Sequence, residues 1–265
     1  MGIRELTDCW AGQSYEQGCN AVERSGIYEK RIISKLRHYL FELKRFRFMK
    51  MDGNSVQDLK RYEPAEQYEQ IRFADIVNRL KNDDGFSPVK YMAQITKLCD
   101  ERELTESMTI GLLARGLRSF PSFLREMDVE EQLENILTER GIPYSITRST
   151  EMDVAQHTDI MVSSYGRDYR IWLFQNSKRG IRNTMMRLRE ERGKLPQGIH
   201  VLCPMNPMGA NPRCIMKNGW CFYQTPYVER IADCIENPEP DRLPPYEKFI
   251  QGADLSGDGI QVFVK

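Results

Sequence analysis

The sequence predicts a mixed α/β (α+β) protein in two parts. A helical region fills the first part, and a small mixed sheet with covering helices fills the second. Three observations carry this. Apolar residues recur at helical spacing up to about residue 140. The period changes after Gly141, where apolar, β-rich runs separated by short turns take over. Ile199 to Pro204 (IHVLCP) is a continuous apolar run, the pattern of a strand buried on both faces.

In the first part, Ile27 to Met51 places Ile32, Ile33, Leu36, Leu40 and Leu43 on one helical face. Tyr68 to Lys81, Val89 to Asp100 and Glu106 to Ser119 read as three further helices. Gly53-Asn54 and Asp83-Asp84-Gly85 break the chain between them. Asp128 is expected to cap a helix running to Arg140, with Glu131 completing a capping box and Gly141 ending it.

From there the reading is strand (Ile142 to Arg148), strand (Thr158 to Ser164) and strand (Asp168 to Gln175). The turn Tyr165-Gly166-Arg167 joins the last two as a hairpin. A basic helix (Ile181 to Arg192) leads to the buried strand at Ile199. Gly219 to Gln224 reads as another strand, and Pro226 starts a helix through Ile235. Asn237 to Pro245, with four prolines, is expected to be irregular, and Ile260 to Val264 to be a last strand. The division falls into a helical region, 1–120, and an α/β domain, 121–265, with the order αβββαβ at its heart.

Composition narrows the class. The 265 residues are 40% hydrophobic and 29% charged, which suits a folded chain rather than a disordered one. No apolar run reaches the eighteen or so residues of a membrane helix. The N-terminus has no signal-peptide core and no Ser or Thr at position six for myristoylation, so a cytoplasmic protein is expected. The seven cysteines, odd in number and widely spaced, point to reduced thiols. Four of them lie between 203 and 234 with His200 nearby, but no short C-x2-4-C knuckle brings zinc ligands together. Asp254 to Gly259 opens like a calcium loop, yet Lys265 stands where the bidentate Glu is required, so it reads as a turn.

Lys+Arg and Asp+Glu both number 38, so net charge is zero. That excludes only a uniformly basic binder. Tyr28 to Lys50 carries eight Lys/Arg against two Glu, interleaved with Tyr39, Phe41, Phe46 and Phe48. Lys178 to Lys194 carries seven against two. Glu229 to Glu247 offsets them with six acids against two Arg. Phosphate contacts need local rather than global positive charge, although either basic stretch also suits a solvated helix face.

One constellation has chemical content. Asp159 opens the second predicted strand. The third ends in Phe174-Gln175-Asn176-Ser177-Lys178-Arg179, and Glu130, Glu131 and Glu134 sit on the preceding helix. Adjacent strands can bring an Asp, a polar oxygen and a Lys to one point, with a helix Glu beside them. Hard oxygen ligands of this kind hold Mg2+ together with phosphate and water. Each residue alone also has an ordinary structural reading, as a turn residue, a helix-face charge or a loop.

On these residues the chain resembles the PD-(D/E)xK, restriction-endonuclease-like nuclease superfamily, over Asp128 to Pro204, under a third of its length. Leu137 to Gly141 resembles the end of the first core helix in archaeal Holliday-junction resolvases and in restriction enzymes for modified DNA. The helix Glu of those families, about three turns before the Gly, best matches Glu130. Asp159 matches the central Asp, and Phe174 to Arg179 resembles the Q-x-K-R ending of the third strand.

The resemblance implies a restriction-endonuclease-like core and a Mg2+-dependent (or Mn2+-dependent) nuclease. It implies metal ligands Asp159, Glu130 and Gln175, with Lys178 positioning or activating water. Arg179, Arg182, Arg187 and Arg189 would then lie along the nucleic acid, DNA in the first instance and RNA in the second. A homodimer or a helicase-type partner, and a restriction or anti-phage setting, follow by analogy. Two departures stand out: no Pro precedes Asp159, and the strand motif is Gln-Asn-Ser-Lys rather than acid-x-Lys. In a regular strand, residues three apart face opposite sides. Gln175 and Lys178 therefore meet only across a bulge, or else Asn176 and Lys178 form the pair. The alternative reading is a nuclease-fold subunit, weakened or inactive, that binds nucleic acid or a partner.

Overall fold

The computed structural model describes residues 2–5, 73–82, 87–147, 158–190, 195–206, 213–217, 220–237, 240–257 and 259–265. The expected helix Ile27 to Met51, the basic segment Tyr28 to Lys50 and the breakers at 53–54 and 83–85 lie outside them. Among the described residues the protein is mixed α/β, with six α-helices, a five-stranded mixed sheet and a two-stranded sheet. The chain divides into two compact units: Met1–Leu124 with Met216–Trp220, and Arg125–Ile215 with Cys221–Lys265.

The first unit contains α1 (Phe73–Asn82), α2 (Pro88–Glu101) and the opening turns of α3 (Glu106–Glu139). Ser87 caps α2 by accepting from the Lys90 amide at 3.2 Å, and Pro88 supplies the preset first-turn backbone. Its aromatic core centres on Tyr91, which is buried and packs 5.2 Å from Phe120 and 6.5 Å from both Phe73 and Phe123.

α3 corrects the sequence reading. A helix break before Asp128 was expected, but the helix runs unbroken through Pro121 for 34 residues. Proline forfeits one helix hydrogen bond. Burial of Phe120, Phe123, Leu124 and Met127 on the same stretch offsets that loss. Asp128 is therefore no cap. It sits in mid-helix, 1% exposed, and accepts a 2.8 Å hydrogen bond from Gln132 one turn on. The other end of α3 matches expectation. Gly141 adopts φ +66°, and the bonds Gly141 N–H to Thr138 and Ile142 N–H to Leu137 close a Schellman motif.

The second unit is built on the large sheet, ordered β1-β2-β3-β4-β7. Its strands are β1 (Ser145–Thr147), β2 (Ile160–Ser164), β3 (Arg167–Gln175), β4 (Ile199–Met205) and β7 (Gln261–Val264). β1, β2 and β3 pair antiparallel, β3 and β4 pair parallel, and β7 returns antiparallel to β4. The parallel pair requires a crossover, and α4 (Lys178–Glu190) supplies it. The hairpin turn places Tyr165 (φ 49°) and Gly166 (φ 73°) both in the left-handed region, the signature of a two-residue type I′ turn. All seven residues of β4 are buried, as a doubly covered strand requires.

Helices cover both faces. On one, Trp172, Leu202 and Phe263 from the sheet pack with Leu188 of α4 and with Tyr246 and Phe249 of α6 (Tyr246–Gly252). On the other lies α5 (Thr225–Glu236), whose Ile235 carbonyl accepts from Tyr169 at 3.2 Å. α5 is tied to α3 by Thr225 Oγ1 to Gln132 (2.9 Å) and by Arg140 to Asp233 and Glu236 (2.8 Å each). The second sheet pairs β5 (Cys214–Lys217) with β6 (Trp220–Tyr223). β5 and α6 were not anticipated. β5 is four residues long, and α6 has seven and lies just beyond the proline cluster.

Candidate functional site

The site residues lie around the end of β3. Asp159 directly precedes β2. Its amide donates to Ile171 at 3.2 Å, and its carboxylate Oδ2 accepts from the Leu173 amide at 2.6 Å. β2 stops at Ile160, so the next ladder position on β3 has no strand residue beside it. The Asp159 side chain fills that position and holds its carboxylate against β3 in a charge-assisted bond. Gln175, the last residue of β3, is two residues further on, a rise of about 7 Å. Asp159 and Gln175 thus share one end of the sheet.

The chain then turns sharply. The Ser177 amide donates to the Gln175 carbonyl (2.8 Å), and the Asn176 amide to Met205 of β4 (2.8 Å). Ser177 caps α4 by accepting from the Gly180 amide at 3.0 Å. A Cβ at Gly180 would overlap the Gln175 carbonyl oxygen, so only glycine fits this close approach. Lys178 is consequently the first residue of α4, and it is exposed. Strand alternation, on which the pairing of Gln175 or Asn176 with Lys178 was weighed, stops applying at Gln175. The turn and the helix cap govern where Lys178 stands.

α4 is amphipathic. Thr184 and Leu188 are buried, whereas Arg182, Arg187 and Arg189 are exposed with Lys178. At 100° per residue Lys178, Arg182 and Arg189 fall within about 40° of one another, a basic stripe along the helix. The Arg179 side chain lies outside the described residues. The first turn of α4 carries no acid, so no carboxylate within that turn neutralises the positive end of the helix dipole beside Lys178. That combination favours an anion.

Glu130 is on α3, 7% exposed, two residues from both Asp128 and Gln132 and so on a different side of the helix from that pair. Asp128, expected as a cap, is instead buried in mid-helix. Only its burial distinguishes it, and local sequence carries no sign of that. Among the described residues, no group of three or more His, Cys, Asp or Glu side chains is clustered to hold a metal ion. The set Asp159, Glu130 and Gln175 has two acids and an amide oxygen. Its donors are hard oxygens of the type Mg2+ takes, and a carboxylate with about four acceptor sites can keep the Leu173 bond and still ligate.

His200 and the cysteines lie elsewhere in chemical terms. His200 is fully buried, stacked 4.7 Å from Phe263. Its Nδ1 accepts from the Trp172 indole at 3.2 Å, and its Nε2 faces the Pro196 carbonyl at 3.1 Å. Burial, with Arg170 and Lys265 nearby, pushes its pKa down to about 4. Cys203 is fully buried and burial pushes its thiol up, the opposite of a primed nucleophile.

No protein-family model, curated protein or solved structure matches the chain. Among the described residues no helix is long and apolar enough to cross a membrane.

Proposed function

We propose that the protein is a Mg2+-dependent (or Mn2+-dependent) nuclease that hydrolyses phosphodiester bonds in DNA on a restriction-endonuclease-like core. The observation that carries the reading is the αβββαβ order, with two antiparallel pairs and then a parallel one. That order sets Asp159 at the start of β2 beside the end of β3, where Gln175 and the α4 N-terminus follow. Asp159, Gln175 and Glu130 would hold a divalent cation, which would supply Lewis-acid polarisation of a phosphate oxygen and a more acidic water. Asp159 keeps its carboxylate aligned through Leu173. Lys178 orients the attacking water or meets the developing negative charge. Arg182 and Arg189 carry the phosphate backbone away along α4, whereas Arg187, about 180° round the helix from Lys178, lies off that stripe. A restriction or anti-phage role in the cytoplasm, alone as a homodimer or with a helicase-type partner, fits such an enzyme by analogy of fold.

One observation favours a second reading. Gln175 supplies a neutral oxygen where an acid would supply charge, and Lys178 belongs to the helix rather than the strand. On this reading the chain binds nucleic acid without cutting it. The full chain incubated with labelled linear, branched and single-stranded DNA, with Mg2+ or with chelator, separates the two. Chelator-sensitive cleavage that falls at least about 100-fold in both Asp159→Ala and Lys178→Ala supports the nuclease. Cleavage that survives both changes refutes the site. Binding without cleavage by the unmodified chain selects the second reading, and neither binding nor cleavage removes both.

A further inference from the structure

Two arginines of the second unit show how a shielded guanidinium is ordinarily satisfied. Arg140 bridges Asp233 and Glu236 at 2.8 Å each, and Arg170 donates Nε–H to the Gln197 carbonyl at 3.2 Å. Arg213 differs. Its side chain is half-buried, and its Nε is wholly buried. Among the described residues, neither an acid nor a hydrogen-bond acceptor meets its guanidinium. Pro207 to Pro212, which lead into it, contain no acid. What touches it is the Tyr227 ring, whose centre lies 5.6 Å from the guanidinium carbon. Stacking takes a face of the guanidinium and none of its donors, which lie in its plane. A partly shielded cation is normally paired, whereas this one is oriented by an aromatic ring with its charge unanswered.

The sheet sets Arg213 beside the candidate site. Its amide donates to the Asn206 carbonyl at 3.0 Å, and Asn206 directly follows β4. Met205, the last residue of β4, pairs with Gln175, the last of β3, on strands about 4.8 Å apart. Arg213 therefore starts from the same end of the sheet as Asp159 and Gln175. It also shares a face with Gln175. Tyr227 belongs to α5, which covers the Tyr169 side of β3. By strand alternation Gln175, six residues on, faces that side. Asp159, Gln175 and Arg213 thus follow one another across the ends of β2, β3 and β4.

We propose that Arg213 binds a backbone phosphate of the nucleic acid next to the candidate metal site. The inference rests on the nucleic-acid reading above, in its cutting or its binding form alike. The planar fork of a guanidinium meets two phosphate oxygens at once, which an ammonium does not. Nε is shielded, so the edge formed by the two Nη atoms takes the phosphate. Tyr227 orients that edge before the ligand arrives, so less side-chain freedom is lost on binding. α4 packs on the opposite face of the sheet, and Arg213 and the α4 stripe meet the nucleic acid from its two sides.

The test uses the full chain with chelator, so that nothing is cut, and a labelled duplex DNA. The shielded Arg213 Nε–H exchanges slowly and gives its own NMR signal, assigned by through-bond correlation to the Arg213 backbone. DNA is expected to shift that signal saturably. Arg213→Gln is expected to weaken DNA binding at least about 10-fold and to reduce the slope of log affinity against log salt by about 0.9. Arg213→Lys keeps the charge, so it should weaken binding while leaving the slope in place. An arginine with a merely structural role moves neither the signal nor the slope. DNA binding with an unmoved signal, or with the Arg213→Gln slope unchanged, overturns the inference and leaves the functional reading standing. A signal that responds to inorganic phosphate but not to DNA overturns it as well. No DNA binding by the unmodified chain fails the functional reading, and this inference with it. The NMR titration needs only the unmodified chain, so it decides the matter even if a variant folds poorly.

Discussion

His200 should make the protein acid-sensitive in a defined window. The Trp172 indole donates to Nδ1, so that nitrogen has no place for a proton while the bond is made. Nε2–H then donates to Pro196, and both ring positions are committed in the neutral tautomer. Folding lowers the pKa from an ordinary 6.5 to about 4. Between those values the unfolded chain binds a proton that the folded chain refuses, so stability must rise with pH across the window. The contribution is complete above about pH 6.5 and is lost as pH falls towards 4. At 1.36 kcal/mol per unit it amounts to about 3 kcal/mol. Urea unfolding from pH 7.5 to 4, comparing the unmodified chain with His200→Phe, isolates it. The variant keeps a ring against Phe263 and forfeits the Trp172 bond, so it is less stable at pH 7.5, by about 1–3 kcal/mol. It should also lack about 3 kcal/mol of the acid-induced loss. Equal pH slopes in the two proteins, or an imidazole NMR titration with its midpoint near 6.5, would refute the reasoning.

Three further outcomes follow from the geometry. Gly180→Ala forces a methyl into the Gln175 carbonyl and should cost about 1–3 kcal/mol. Thermal melting reads this as a drop of about 2–4 °C per kcal/mol, and an unchanged melting temperature would show that the turn relaxes freely. Gly141→Ala meets no neighbour, yet it must hold φ +66°. It should lose about 1 kcal/mol in chemical denaturation from backbone strain alone, and Gly141→Asn less. For DNA binding followed by fluorescence anisotropy, Lys178→Ala, Arg182→Ala and Arg189→Ala should each reduce the slope of log affinity against log salt by about 0.9. Slopes that do not move would take α4 off the phosphate backbone.

What could be read in advance was whatever local pattern decides. β3 ends at Gln175 and β4 begins at Ile199 as expected, because strand propensity and uninterrupted apolar runs mark them. Gly141 ends α3 because a left-handed cap requires glycine whatever packs nearby. The continuation of α3 through Pro121 was not legible. It depends on aromatic side chains finding a core, which outweighs a local breaker. The same holds for the candidate site. Asp159 and Gln175 were readable as the ends of strands, but the bond from Leu173 to Asp159 exists only because β2 is shorter than β3. Asp128 looked like a cap for the same reason that many aspartates do, and its burial beside Gln132 is a tertiary fact.

The pairing of β4 bears on how the molecule is assembled. β7 covers Ile199 to Leu202 only. Beyond them, the hydroxyls of Tyr223 and Tyr227 take the Cys203 and Pro204 carbonyls at 3.2 and 3.0 Å. Until residues 261–264 have docked, a seven-residue strand that is apolar but for His200 presents an open edge. Such an edge is a template for pairing with another chain, and a partner about 60 residues distant in sequence closes it slowly. The hazard in producing this protein therefore lies in the interval between formation of the β3–β4 pair and arrival of β7. Removal of residues 261–264 would turn that transient species into an aggregating one.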